Sequence, residues 1–191
     1  MDESLKTALI LAIVAGIVNV MVKSFEIRTN YKNEKNRMNL EVLLERNKTL
    51  EKNIQEFISG VDSVMKNASG FSSISIRHLD KEISSSEYEK IIINQQEEIN
   101  NGMEITFQTI TSIKLLISKS KYKMKMIEYL EKCRFDIEES VSKVIEYEVY
   151  KADRDMMISL DNEMQVLKER TQQNVDKSIE LINEYFNEDP F

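Results

Sequence analysis

Glycine and proline, the residues that most often interrupt helices, are almost missing from this chain. It has four glycines and one proline in 191 residues, where average usage would give roughly thirteen and ten. Tight hairpins between strands need Gly, Asn-Gly or Pro turns, and nucleotide-binding loops need glycine clusters. The sequence therefore predicts an all-α protein made of long helices with few turns.

One segment near the N-terminus is apolar all round. Residues 7–22, TALILAIVAGIVNVMV, carry no charge and lie between Lys6 and Lys23. A helix of this length spans roughly 24 Å, and snorkelling lysines extend it towards the ~30 Å hydrocarbon core. A cleaved signal peptide would have a basic start and a small-residue cleavage site, and a buried core helix usually has a polar face. We therefore expect residues 1–23 to form a single transmembrane helix that anchors the chain in the cell membrane.

Basic residues follow this anchor rather than precede it. Residues 23–37 carry five basic and two acidic side chains, whereas Lys6 is the one basic side chain before the apolar segment. Because cytoplasmic flanks are enriched in Lys and Arg, the short N-terminus is expected outside and the rest of the chain in the cytoplasm.

Small residues share one face of the anchor. Ala8, Ala12 and Gly16 lie four residues apart, and Asn19 is beside them. Small side chains let two membrane helices approach closely, and an amide in lipid gains from hydrogen bonding to a partner. This face predicts self-association of the membrane helix, although Ala and Gly are also common in helices that cross the membrane without pairing.

The rest of the chain indicates an antiparallel bundle of three or four long helices. Residues 24–68 hold a polar stalk and a first helix, whose apolar stripe includes Leu50, Ile54, Phe57 and Val61 at steps of three and four. Residues 69–85 contain Gly70 and many serines, which favour turns, and are expected to form a connector. Ser84 with Glu87, and Ser86 with Glu89, each fit a capping box, so a second helix is expected to start there. Residues 86–191 then form the remaining helices.

Two arrangements of the later turns are compatible with the sequence. In the first, breaks near residues 118–120 and 153–155 give four helices. In the second, one break near residues 134–136 gives three, because basic residues before it and acidic residues after it suit the two ends of a helix. An apolar stripe that runs straight through residues 126–144 argues against the second arrangement.

A basic block occupies residues 114–134, with seven basic and two acidic side chains. The surrounding chain is acidic and carries no nucleic-acid-binding motif, which argues against a nucleic-acid partner. Two interpretations remain: contact with anionic lipid heads at the membrane surface, or a solvated helix face paired with the acidic last helix. The candidate residues for lipid contact are Lys119, Lys121, Lys123, Lys125, Lys132 and Arg134.

Residue types that carry catalysis are sparse. His78 is the single histidine, Cys133 is the single cysteine and lies on an apolar stripe, and no Glu-x-x-His pair is present for a di-metal bundle. Asp153 and Asp155 indicate a helix start better than a cation site. We expect no enzyme activity, no cofactor and no metal.

Two functional hypotheses follow. The first is a membrane-tethered structural or protein-interaction module with a coiled-coil-like cytoplasmic bundle, acting as a homo-oligomer or with a protein partner. The second is a membrane-acting effector, of the holin or phage-exclusion type, whose assembled spans perturb the bilayer. The abundance of Ile, Lys, Asn and Glu is typical of AT-rich bacterial and phage genes.

Overall fold

Long helices form nearly all of the described chain. The structure, a computed structural model, describes residues 3–117, 122–150 and 153–188, with side chains from residue 19 to residue 186 within these ranges. These residues form four α-helices and no strand, which confirms the all-α prediction. The helices are α1 (Glu3–Leu79), α2 (Ser85–Leu116), α3 (Lys123–Tyr150) and α4 (Arg154–Glu188). The first arrangement of turns is the correct one, since residues 134–136 lie inside α3.

The chain divides into two compact units, Met1–Arg46 and Asn47–Phe191. The first unit contains the earlier part of α1, and the second contains the rest of α1 with α2, α3 and α4. Where side chains are described, no helix has a stretch both long enough and apolar enough to cross a membrane. Most of the expected anchor, residues 7–18, lies outside those side chains.

The second unit is a bundle of four antiparallel helices. Ser63 Oγ donates to the carbonyl of Glu98, 3.4 Å away, across α1 and α2. Arg134 and Phe107 join α3 to α2, with the guanidinium 5.1 Å from the ring centroid. Lys143 and Glu163 join α3 to α4 at 2.7 Å.

A further contact closes the bundle between its last helix and its first. Arg154 Nη1 of α4 lies 2.8 Å from Asp80 Oδ1, just beyond the end of α1. Each helix of the bundle therefore packs against the next, and α4 packs back against α1.

The core follows the stripes that the sequence indicates. Leu50 and Phe57 are fully buried and Val61 nearly so, while Ile54 is half-buried against the core. The buried stripe of α2 comprises Tyr88, Ile92, Ile99, Ile110 and Ile113. The buried apolar residues of α3 and α4 include Met126, Leu130, Cys133, Ile137, Val144, Leu160, Met164, Leu167, Val175 and Ile182. Summed over the bundle, this burial is the main term that holds the helices together.

Two glycines set the spacing of α1 and α2. A Cβ added to Gly60 would lie 2.5 Å from Thr106 Oγ1 and 3.0 Å from the carbonyl oxygen of Gly102. A Cβ added to Gly102 would lie 2.9 Å from the carbonyl oxygen of Gly60. The two backbones therefore meet at a distance that only glycine permits.

The connector expected at residues 69–85 is mostly helical, because α1 continues to Leu79 and residues 80–84 alone separate it from α2. Phe71 is fully buried, and nearby Ser72 and Ser75 are buried polar residues within α1 rather than turn formers. Ser72 donates to Asp161 of α4, and Ser75 lies 3.2 Å from the hydroxyl of Tyr88 of α2. Small hydroxyl side chains fit between packed helices, so tertiary contacts override their preference for turns.

The helix ends have identifiable causes. The Ser84 side chain accepts a hydrogen bond from the Glu87 amide at 3.2 Å, which confirms the expected start of α2. Asp153 does the same for the Met156 amide at 3.0 Å and caps α4. At the end of α1, Lys81 adopts a φ of 61°, a conformation that usually requires glycine.

Candidate functional site

The basic block begins near the end of α2 and continues into α3. Lys119 and Lys121 lie outside the described residues. Lys123 is half-buried and Lys125 is exposed, and neither forms an ion pair with a described residue. Exposed apolar side chains lie at the ends of the same two helices: Leu115 and Met124.

The later members of the basic block have acidic neighbours on their own helix. Lys132 Nζ lies 2.7 Å from Glu128 Oε1 and also sits over the ring of Tyr129. Arg134 Nε lies 3.0 Å from Glu138 Oε1. The hydrogen bond from Lys132 lowers the pKa of the Glu128 carboxyl. These two cations therefore pair with carboxylates of their own helix, α3, on its solvated surface.

The predicted assembly face of the anchor can be located only in part. Ala8, Ala12 and Gly16 lie outside the described side chains, and Asn19 is exposed in the first unit. The backbone of all four residues belongs to α1.

The structure adds a polar cluster between α3 and α4 that the sequence did not identify. Asp136 is 2% exposed, and both of its carboxylate oxygens accept hydrogen bonds. Arg170 Nε donates to Oδ1 at 2.7 Å, and Asn174 Nδ2 donates to Oδ2 at 2.8 Å. Arg170 also reaches Glu139 Oε2 at 2.5 Å, and this hydrogen bond, with that to Asp136, raises the pKa of the guanidinium. The cluster satisfies a buried carboxylate and fixes the register of α3 against α4.

A weak signal for this cluster is present in the sequence. Asp136 directly precedes Ile137 on the apolar stripe of α3, three residues after Cys133, so a helix continuing through this point must bury it at least partly. In the three-helix arrangement that the sequence left open, Asp136 would start a helix instead, because an aspartate followed three residues later by Glu139 resembles an N-terminal cap.

Two other buried titratable groups, Cys133 and Tyr147, are held in their neutral forms. Burial, with Asp136 nearby, raises the pKa of the Cys133 thiol to about 12, so the thiol stays protonated at neutral pH. Burial also raises the pKa of Tyr147, and the nearby carboxylate of Asp161 acts in the same direction. The Tyr147 hydroxyl is buried without a hydrogen-bond partner of good geometry among the described residues. Neither group is poised to act as a nucleophile.

An open groove of about 780 Å³ runs over the polar cluster. Its lining mixes acidic and basic side chains with the exposed ring of Phe135. In the described part of the chain, no group of His, Cys, Asp and Glu side chains is arranged to hold a metal ion. The groove therefore exposes charged and aromatic side chains, while its buried carboxylate already accepts a hydrogen bond at each oxygen.

The largest run of exposed apolar side chains lies in the first unit. Between residues 20 and 44 of α1, ten large apolar side chains are exposed. They are Val20, Met21, Val22, Phe25, Ile27, Tyr31, Met38, Leu40, Val42 and Leu44. Large apolar surface of this kind marks sites that contact protein or lipid.

Comparison of the chain with protein-family models, with curated proteins and with solved structures found no match.

Proposed function

We propose that this protein is a membrane-tethered, non-enzymatic interaction module. In this proposal residues 7–22 cross the membrane once, the N-terminus lies outside, and the four-helix bundle binds its partner in the cytoplasm. The observation that carries the proposal is the exposed apolar surface at the start of the described side chains. Val20, Met21 and Val22 end the uncharged stretch and Phe25 follows it on α1, and these four side chains are each 50–72% exposed.

An aqueous environment disfavours that surface. Each large apolar side chain is stabilised by about 1.5–3 kcal/mol when it is transferred from water to an apolar surrounding. Lys23 follows the exposed valines, where a lysine can extend its ammonium group into the headgroup region. Apolar side chains followed by a basic flank are the arrangement found where a helix leaves the cytoplasmic side of a bilayer.

The chemistry of the bundle supports an interaction role rather than a catalytic one. The Asp136 carboxylate is occupied by Arg170 and Asn174, and the raised pKa of Cys133 keeps its thiol protonated. The groove above this cluster is wide, open and lined by charged side chains and Phe135. Surfaces of this kind suit a protein partner, in which an exposed aromatic side chain can serve as an anchor.

Membrane fractionation tests the tether. The full chain is expected to stay in the membrane pellet after washes with high salt and with alkaline carbonate, and to require detergent for release. A variant with Leu11→Arg and Val14→Arg should move to the soluble fraction, because each arginine near the bilayer centre costs about 2.5–3.5 kcal/mol. Release of the unaltered chain by salt or carbonate alone would refute the tether.

The orientation has its own test. Gln173 is exposed on α4, and a cysteine placed there should resist a membrane-impermeant maleimide in intact cells but react after permeabilisation. Labelling in intact cells would show that the bundle lies outside the cell.

A membrane-potential dye separates this function from the bilayer-perturbing alternative. Rapid depolarisation on induced expression would favour the effector, and a stable membrane potential favours the interaction module.

A further inference from the structure

A narrow apolar stripe runs along the first unit on one side of α1. Val20, Ile27, Tyr31, Met38 and Val42 follow one another at steps of seven, four, seven and four residues. At 100° per residue these positions fall within an arc of about 60°. All five side chains are 59–70% exposed. The stripe is therefore solvent-facing and uncovered by the described part of the chain, with Ser24 on the same side between Val20 and Ile27.

The period of the stripe sets the kind of surface that can cover it. Val20, Tyr31 and Val42 are eleven residues apart, as are Ile27 and Met38. A repeat of eleven over three turns gives about 3.67 residues per turn, close to the 3.6 of an α-helix, so the stripe stays on one side without strong supercoiling. A partner helix must have the same period to stay in contact along the whole stripe, and a second copy of this chain has it.

Charges beside the stripe distinguish a second copy from a lipid surface. Glu34 and Glu41 lie on one flank, and Arg28 and Lys35 lie on the other. In a parallel pair related by a twofold axis, one flank of each helix faces the opposite flank of its partner. Glu34 then lies level with Lys35 of the other copy. An anionic membrane surface would instead meet the two glutamates, which it repels.

The size of the stripe is sufficient for pairing. A buried large apolar side chain removes on the order of 100 Å² from water, so five from each copy remove about 1,000 Å² in total, which is the scale of the smallest specific interfaces. One unfavourable contact remains, where Lys23 faces Arg28 of the other copy, but an exposed like-charge pair has a weak effect.

We infer that α1 pairs in parallel and in register with α1 of a second copy through the stripe Val20–Ile27–Tyr31–Met38–Val42. The parallel direction rests on the proposed function, because two copies inserted in one membrane with the same orientation must run the same way. The pairing itself depends only on the stripe. Four of the five stripe residues follow the proposed span, so the pairing lies mainly on the cytoplasmic side of the membrane rather than within it.

Disulfide cross-linking of the full chain in membranes tests the contact. In a Cys133→Ala background, Tyr31→Cys should give a cross-linked dimer on mild oxidation, because two stripe positions at one level bring their Cβ atoms within disulfide reach. Asn36→Cys is the matched control: it is exposed on the opposite side of the same helix and should stay monomeric. Equal cross-linking at both positions, or none at Tyr31→Cys, would overturn the inference.

Oligomeric state in mild detergent provides the second measurement. Ile27→Lys combined with Met38→Lys should lower the dimer fraction by roughly tenfold or more, because four lysines would face one another in the pair. Thr29→Lys combined with Asn36→Lys adds the same charge to the opposite side and should leave the dimer unchanged. Pairing with a second copy would be refuted by a monomeric wild type or by a Tyr31→Cys cross-link to a protein of different mass. It would also be refuted if anionic lipid alone protected the introduced thiol.

Failure of this inference and failure of the tether are distinguishable. A chain that is released by carbonate but still cross-links at Tyr31→Cys loses the tether and keeps the pairing. A chain that stays in the membrane without cross-linking keeps the tether and loses the pairing.

Discussion

The contact between Gly60 and Gly102 makes a sharp prediction about the packing of α1 and α2. In Gly102→Ala, the new methyl group would lie 2.8 Å from Val64 Cγ2, 2.9 Å from the carbonyl oxygen of Gly60 and 3.2 Å from the backbone nitrogen of Val64. Optimal separations are about 3.5–4.0 Å. Two of these three atoms belong to the backbone of α1, so rotating a side chain cannot relieve the contact and the helices must separate.

Two opposing effects set the expected change in the free energy of unfolding of Gly102→Ala. Alanine is favoured over glycine inside a helix by about 1 kcal/mol. Overpacking of a well-packed contact costs about 1–3 kcal/mol, and contact with rigid backbone places this site in the upper part of that range. Gly102→Ala should therefore lower the free energy of unfolding by about 1–2 kcal/mol net, because the packing loss exceeds the gain in helix propensity.

Gly70→Ala is the matched control, because it makes the same substitution inside α1 with a different neighbour. Its methyl group would meet the Gln95 side chain, 2.6 Å from Nε2 and 3.7 Å from Cδ. The end of this flexible side chain can move, so Gly70→Ala should raise the free energy of unfolding by about 0.5–1 kcal/mol. The two variants thus change stability in opposite directions.

Urea denaturation of the full chain in mild detergent, followed by circular dichroism, measures both changes. Gly102→Ala should lower the midpoint and Gly70→Ala should raise it, with similar slopes. Thermal melts should separate the two variants by roughly 5–10 °C, since 1 kcal/mol corresponds to about 2–4 °C in a chain of this size. Equal midpoints for Gly102→Ala and Gly70→Ala would show that the two backbones are not in close contact.

Three further variants test local features of the bundle. Lys81→Gly should stabilise the chain by about 0.5–1 kcal/mol in urea denaturation, because Lys81 has a φ of 61°, which glycine adopts without strain. Lys81→Ala is the control and should bring no such gain. The raised pKa of Cys133, about 12, means that its contribution to stability is full below its ordinary pKa near 9 and declines as the pH rises from there towards 12. Melting at pH 8 and pH 10 should therefore show a larger loss for the wild type than for Cys133→Ala. Asp136→Ala should cost about 2 kcal/mol, less than the ~3–5 kcal/mol of a fully buried pair, because Arg170 is half-exposed and keeps Glu139; an unchanged urea midpoint would contradict this.

The sequence carried enough information to predict most of the helical stripes. Leu50, Phe57 and Val61 were expected in the core and are buried there. The cap at Ser84 was also predicted and is present. These features depend on residues close together along the chain, through helical period and local hydrogen bonding, so a single sequence is sufficient to show them.

The candidate sites were predicted less completely. The sequence identified the basic block by composition, but the ion pairs of Lys132 with Glu128 and of Arg134 with Glu138 became evident only with the helix boundaries in place. It missed the buried cluster around Asp136, since Arg170 lies 34 residues away on another helix. Charge patterns along a chain do not show which side of a helix a neighbouring helix will cover.

What the sequence alone determined is the all-α class, because a chain with so few glycines and prolines and with apolar residues at steps of three and four favours long helices. Only the tertiary structure decided where α1 ends and how closely α1 and α2 pack. Ser72 and Ser75 remain helical because their hydroxyl groups find partners on α4 and α2, and Gly60 meets Gly102 rather than breaking α1. These outcomes depend on contacts between residues far apart in the chain, whose free energy outweighs local preferences of about 1 kcal/mol or less per residue.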